Sequence, residues 1–142
     1  MSFDSIYRIA GSALNAQTVR LNTVASNLAN AESAADNPEN AYQARKPVFA
    51  AIYSNGSLTG GTRLEGARVQ VLDVVSAGRE PQRRYEPGNP LADQDGYVYY
   101  PDVNVIEEMA DMMSASRSFE TNVEVLNRVK SMQSSLLRLG EL

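Results

Sequence analysis

Residues 102–139 contain neither proline nor glycine. Apolar side chains recur there at Val105, Met109, Met112, Phe119, Val123 and Leu126. Steps of three, four and seven keep them on one face of a 3.6-residue helix, so the spacing predicts one amphipathic helix from Asp102 to Leu139. At 1.5 Å per residue it would run about 55 Å, longer than a domain of 142 residues is wide, and it cannot be an ordinary core helix.

The stripe does not stay on one side. From Val125 it continues as Val129, Met132, Leu136 and Leu139, while Lys130 and Gln133 take the places the first stripe would have reached. The three-residue steps Val123, Leu126, Val129, Met132 break the heptad as a stammer does. Ile106 and Met113 widen the apolar sector further. Each such side chain left in water forgoes roughly 1.5 to 3 kcal/mol, so the pattern calls for more than one neighbour.

Composition narrows the rest. A chain of 142 residues makes one domain, or a small domain on extended helices. Net charge is −4, not the basic footprint that phosphate backbones select. Arg79, Arg83 and Arg84 cluster, but beside Glu80 and Glu86 they read as a solvated basic loop. There is no cysteine, hence no disulfide or thiolate metal site, and no histidine, the commonest general base and transition-metal ligand. The start has an early Asp4, a single Arg8 and no long apolar run, which reads as neither a cleaved signal peptide nor a membrane span.

From Asp4 to Asn30 a heptad fits. Tyr7, Leu14, Leu21 and Leu28 form one seam position, and Phe3, Ala10, Gln17, Val24 and Ala31 the other, with Gln17 alone polar. Ser2 or Asp4 can cap the start. Asn22, Asn27 and Asn30 carry two readings: helix-terminal punctuation, or amides that face packed helices and fix their register.

Residues 32–40 are turn-rich and polar, a linker or exposed loop. Val48, Phe49, Ile52 and Tyr53 then suggest a strand running into an Asn55-Gly56 turn, and Gly60-Gly61 marks another turn. Ala67 to Val75 is the best strand of the chain. Pro81, Pro87 and Pro90 interrupt regular structure, and Tyr97 to Tyr100 form a last strand before Pro101, with Asp102 as the helix cap. The expected fold class is α+β: long N- and C-terminal helices paired as an antiparallel coiled-coil stalk, with a small β-rich module inserted between them as a knob at one end. The boundaries fall at 1–31 for the first axial helix, 32–101 for the module and 102–142 for the second helix.

No constellation of residues reads as an active site. Asp93-Gln94-Asp95-Gly96 resembles the opening of a calcium loop, but Val98 and Asn104 stand where glycine and glutamate are needed. Glu107, Glu108 and Asp111 suit the first turns of a helix by its dipole, and a di-metal bundle would need histidine. No phosphate-binding glycine loop or nucleophile elbow is present. Tyr97, Tyr99 and Tyr100 read as strand and interface residues rather than a stacking platform for bases. No enzyme, cofactor, metal, small-molecule substrate or nucleic acid is expected.

Four stretches, LNTVASNLANAES, YQARKPVF, the run RRYEPGNPLADQDGYVYYPDVNVIEEMADMMSASRSFETNVEVLN and the closing LRLG, together resemble the axial proteins of the bacterial flagellum, and among them the proximal-rod components. The likeness covers nearly all of the chain in the same order and is weakest from Asn55 to Arg79. Phe119 stands where relatives often carry tyrosine, and Thr121 where they often carry alanine. The resemblance implies a structural subunit of the torque-transmitting rod, whose paired terminal helices stack helically into a tube with copies of itself and other rod proteins. Leu14, Leu21, Val24, Asn27, Leu28 and Asn30, with Met109, Met112, Phe119, Asn122, Val123 and Leu126, would then lie in the inner tube as the assembly interface. It also implies a place in the basal body, contact with the export gate or membrane-ring proteins, export without a cleaved signal, and terminal helices that order on assembly. Two rivals from other classes are an adaptor or export-chaperone-like helical binding module, and a hydrolase working through Asp93/Asp95 or Glu107/Asp111.

Overall fold

The computed structural model describes the backbone of residues 3–58 and 61–140, and the side chains of these residues outside 54–66. Six elements follow in order: α1 (Phe3–Asn30), β1 (Arg45–Leu58), β2 (Gly61–Ser76), β3 (Gln82–Tyr85), β4 (Tyr97–Tyr100) and α2 (Val105–Leu139). The two helices enclose two small antiparallel sheets, β1 with β2 and β3 with β4, which is the expected α+β class.

Both helices form where the apolar periodicity places them. α2 starts at Val105 rather than Asp102, because Asn104 is the cap: its side-chain oxygen accepts from the backbone N–H groups of Ile106 and Glu107 at 3.1 and 3.3 Å. Asp102 is drawn off into the module, where it accepts from Gln82 Nε2 at 2.9 Å and pairs with Arg79 at 3.7 Å. Asp4 sits inside the first turn of α1, where a carboxylate complements the dipole, and Ser2 lies outside the described residues.

The helices pack against each other. Asn27 reaches Glu108 and Arg20 reaches Asp111, so residue numbers fall along one helix as they rise along the other, and the two run antiparallel. On α2 a covered line runs through Glu108, Met112, Ala115, Phe119, Asn122, Leu126 and Val129, in alternating steps of four and three. This line differs from the purely apolar stripe: it takes in Glu108 and Asn122, and leaves Val105, Met109 and Val123 exposed. The buried side chains between and beside the helices are small, among them Ala10, Ala16, Val24, Ala115 and Val129, which lets the backbones approach closely.

β1 and β2 form one long ribbon, paired from Arg45 with Ser76 to Leu58 with Gly61. The strand therefore does not turn at Asn55-Gly56. Asn55 pairs with Leu64 and Gly56 with Arg63, and a register shift between Ser54 and Asn55 absorbs the irregularity. The expected Gly60-Gly61 turn involves residues 59–60, which lie outside the described residues. Nor does the middle of the chain stand clear as a knob. The base of the ribbon is held at Asn27, while Val69 donates its backbone N–H to Ser12 Oγ at 3.1 Å, so the ribbon folds back along α1.

β3 is a strand that the prolines around it had hidden. It fits between Pro81 and Pro87 and pairs Gln82 with Tyr100 and Tyr85 with Tyr97. Ala35 bridges Tyr99 from the other side, with hydrogen bonds of 2.8 and 3.0 Å, so β4 lies in the middle of the layer and Val98 is fully buried. The linker is thereby pinned: Ala35, Ala41 and Ala44 are all buried. Gly96 turns the chain into β4 with φ +82°, and a Cβ there would come within 2.9 Å of the Tyr85 ring.

Candidate assembly interface

At the closed end of the helix pair, one amide joins four segments. Asn27 is fully buried. Its Nδ2 donates to the backbone carbonyl of Arg45 at 2.9 Å and to Glu108 Oε2 at 3.0 Å, while its Oδ1 accepts from Tyr42 Oη and from the Arg45 backbone N–H, both at 2.9 Å. Both amide hydrogens and both acceptor positions are thus used. Tyr42 also shares a hydrogen bond of 3.1 Å with Ser26. Asn27 therefore has the geometry of the register-fixing reading, since any slip of α1 against α2 would strand Glu108, itself only 5% exposed. Asn30 has that of the other: its side chain donates back to the Ser26 carbonyl four residues earlier, and Asn22 is exposed.

Ion pairs frame this junction. Arg20 meets Asp111 at 2.8 Å and Lys46 meets Glu107 at 3.1 Å, tying α2 to α1 and to β1. Between them lies a cleft of about 290 Å³ lined by Val24, Pro47, Phe49 and Glu108 among others. Two of the carboxylates considered for hydrolysis, Glu107 and Asp111, are the ones engaged here.

Asp93 is engaged as well. Its carboxylate accepts from the backbone N–H groups of Tyr97 at 2.8 Å and Asp95 at 2.9 Å and from Tyr99 Oη at 3.3 Å; chiefly through the Tyr97 bond, these hold its pKa below the ordinary 3.8. Asp93 closes the turn before β4 and is not poised for acid–base work. Tyr100 is shifted upward, first by desolvation and then by its hydrogen bond to Glu86. Of the basic cluster, Arg83 and Arg84 stand on strand β3, Arg83 over the Tyr97 ring at 4.1 Å and Arg84 over Tyr100 at 4.7 Å. Among the described residues no cluster of three acidic, histidine or cysteine side chains could hold a metal, and no helix is long and apolar enough to cross a membrane.

The residues expected at the assembly interface divide into three groups. Val24 and Asn27 are buried within the chain. Leu14, Leu21, Leu28, Asn30, Met112, Phe119, Asn122 and Leu126 are half-buried along the helix pair, and Met109 and Val123 face outward. The larger unpartnered surface lies elsewhere on α2. Ile106, Met109 and Met113 are 80%, 54% and 58% exposed near its start, and every residue from 131 to 140 is exposed, Met132, Leu136, Leu137 and Leu139 included. Val129 is the last buried residue of α2, so the helix outruns its partner. The expected set omitted Ile106, Met113 and the four apolar residues of this overhang, although all but Leu137 stood in the apolar pattern; the covering element of each stripe could not be told from spacing.

Residues 8–32 match the family described as flagella basal body rod protein, and residues 94–139 match the C-terminal family of the flagellar basal body rod FlgEFG proteins. The chain is 49% identical to the flagellar basal-body rod protein FlgC of Escherichia coli O6:H1, over 99% of this chain and 100% of the relative. It is 48% identical to FlgC of Salmonella typhimurium and 45% to that of Yersinia enterocolitica, again over 99% of this chain and the full length of each relative. Two terminal helices around a small β layer, the second bare at both its ends, and full-length relatives that carry one name lead to one conclusion: this chain belongs to the FlgC family of flagellar basal-body rod proteins.

Proposed function

We propose that this chain is a structural subunit of the flagellar basal-body rod, one of a family of rod proteins and not of enzymes, and that it is built into the rod by its two terminal helices. The observation that carries this reading is the apolar surface of α2, left without a partner at both ends of the helix. Several large side chains, each forgoing on the order of 1.5 kcal/mol or more in water, make an isolated chain incomplete and an assembled one complete. In this reading α1 and α2 form a coiled-coil pair that lies in the inner tube with copies and other rod proteins. The β-rich middle faces outward, toward the membrane-ring proteins. The chain reaches that place through the flagellar export gate without a cleaved signal. Rigid helix packing then transmits torque.

The test is a charge on the outward face. Val123→Asp, in a cell whose only copy is the variant, is expected to abolish motility and to remove the chain from purified basal bodies. The purified variant should keep the circular dichroism of the parent, since Val123 is exposed. Motility and incorporation that survive the change would overturn the assignment of this face.

A further inference from the structure

Strand β3 pairs with β4 on one side, and among the described residues no strand pairs with its other edge. The direction of the main-chain groups is set from the far side of β4. Tyr99 exchanges both its hydrogen bonds with Ala35, while Tyr97 accepts from the Asp93 backbone N–H and donates its own N–H to Asp93 Oδ1. Val98 and Tyr100 therefore turn their groups toward β3, where Arg84 and Gln82 stand opposite them. By the same alternation Arg83 and Tyr85 direct their N–H and C=O groups outward, along an edge whose four residues are all exposed.

Charge flanks this edge on both faces. Arg83 lies over the Tyr97 ring and Arg84 over the Tyr100 ring, and adjacent residues of a strand point to opposite faces. Neither guanidinium forms an ion pair among the described residues. The acids nearby are engaged otherwise: Glu86 accepts from Tyr100 and Asn89, and Asp93 from Tyr97, Asp95 and Tyr99. Glu80 stands before Pro81, off the strand, and Arg79 is the member of the cluster that is neutralised, by Asp102.

We infer that the free edge of β3 receives an extended segment of another protein, one that carries two adjacent acidic residues. Such a segment adds a strand to the layer through the outward groups of Arg83 and Tyr85. The residue set opposite Arg83 lies on one face and its neighbour, opposite Arg84, on the other, so two consecutive carboxylates meet one arginine each. Both guanidinium groups lean back over rings of β4, which leaves the main chain of the edge clear, and both side chains are long enough to reach forward to a carboxylate. A second copy of this chain does not fit. β3 against β3 would oppose arginine to arginine, and the one pair of adjacent acids in the sequence is Glu107-Glu108, which lies inside α2 with Glu108 buried. The surface belongs to the β layer, so it goes beyond the rod reading and does not involve the helices that carry that reading.

The probe is a short capped peptide of threonine and valine around a central Asp-Glu pair, titrated into the purified full chain and followed by amide hydrogen exchange. The N–H groups of Arg83 and Tyr85 should exchange fast in the free chain and become protected by the peptide, while those of Gln82 and Arg84 are protected throughout. Replacing the pair by Asn-Gln in the peptide, or Arg83→Gln with Arg84→Gln in the chain, should each weaken binding about tenfold, and the two together little further. The peptide substitution leaves the chain untouched, so its result stands whatever the double variant does to folding. N-methylation of alternate peptide amides separates strand pairing from charge alone: one set should abolish binding and the other preserve it. Indifference to both sets, or heparin competing for the site while neither amide gains protection, would show a general polyanion surface and overturn the inference. Protection of Arg83 and Tyr85 in the free chain at high concentration would overturn it in favour of a second copy, and no response of either amide to millimolar peptide would overturn it outright.

Discussion

The two ends of α2 are built on opposite rules. At its start, Asn27, Glu108, Tyr42 and the Arg45 backbone satisfy one another out of water, and Arg20 and Lys46 pair with the carboxylates beside them. At its end Met132, Leu136, Leu137 and Leu139 are each more than half exposed. Polar groups are enclosed where the molecule must hold one shape, and oil is exposed where something else must complete it. The contrast separates what this sequence spends on being a subunit from what it keeps for joining others.

The contrast can be broken at the junction first. Asn27→Ala removes four hydrogen bonds and leaves a buried carboxylate without its amide, so urea unfolding should show a loss on the order of 3 kcal/mol. A loss under about 1 kcal/mol would mean that the node is not the keystone of the fold.

Gln17 sharpens the comparison from the other direction. Its Oε1 is buried on the inner side of α1 without a hydrogen-bond partner, and Gln17→Met should raise stability by about 1 kcal/mol, measured by thermal unfolding of the isolated chain.

Acid should act on the module through Asp93. The folded pKa of Asp93 is lowered, so its contribution to stability is full above its ordinary 3.8 and is lost as pH falls through the lower folded value. Asp93→Asn should remove this part of the acid titration, read from tyrosine fluorescence of the β3–β4 layer, and leave the helical signal unchanged.

The smallest effect belongs to the overhang. Leu137→Gln should change the stability of the isolated chain by less than about 0.5 kcal/mol, since Leu137 is 66% exposed, while reducing incorporation into basal bodies. A substantial loss of monomer stability would show that the overhang is already packed.

The helices were legible because their burial follows a regular period, and so was the strand from Ala67 to Val75, rich in β-branched residues. β3 was not, since all four of its residues are exposed and no alternation marks it. Asn55-Gly56 carried a turn signal that the ribbon overrode, because fourteen cross-strand pairs outweigh one local preference. Of the candidate interface, the polar break at Asn27 could be read, but its partners Tyr42 and Arg45 could not. They lie 15 and 18 residues further on, beyond a linker that pairs Ala35 with Tyr99. Which apolar positions stay bare depended on where α1 runs out, a matter of length and register rather than of periodicity.

The buried alanines of the two helices have a mechanical consequence. Ala10, Ala16 and Ala115 have no rotamers to change, so a twisting load applied to one helix finds no soft side chains to absorb it and passes from main chain to main chain. Larger residues there would have made a thicker cushion; these make a stiff spoke.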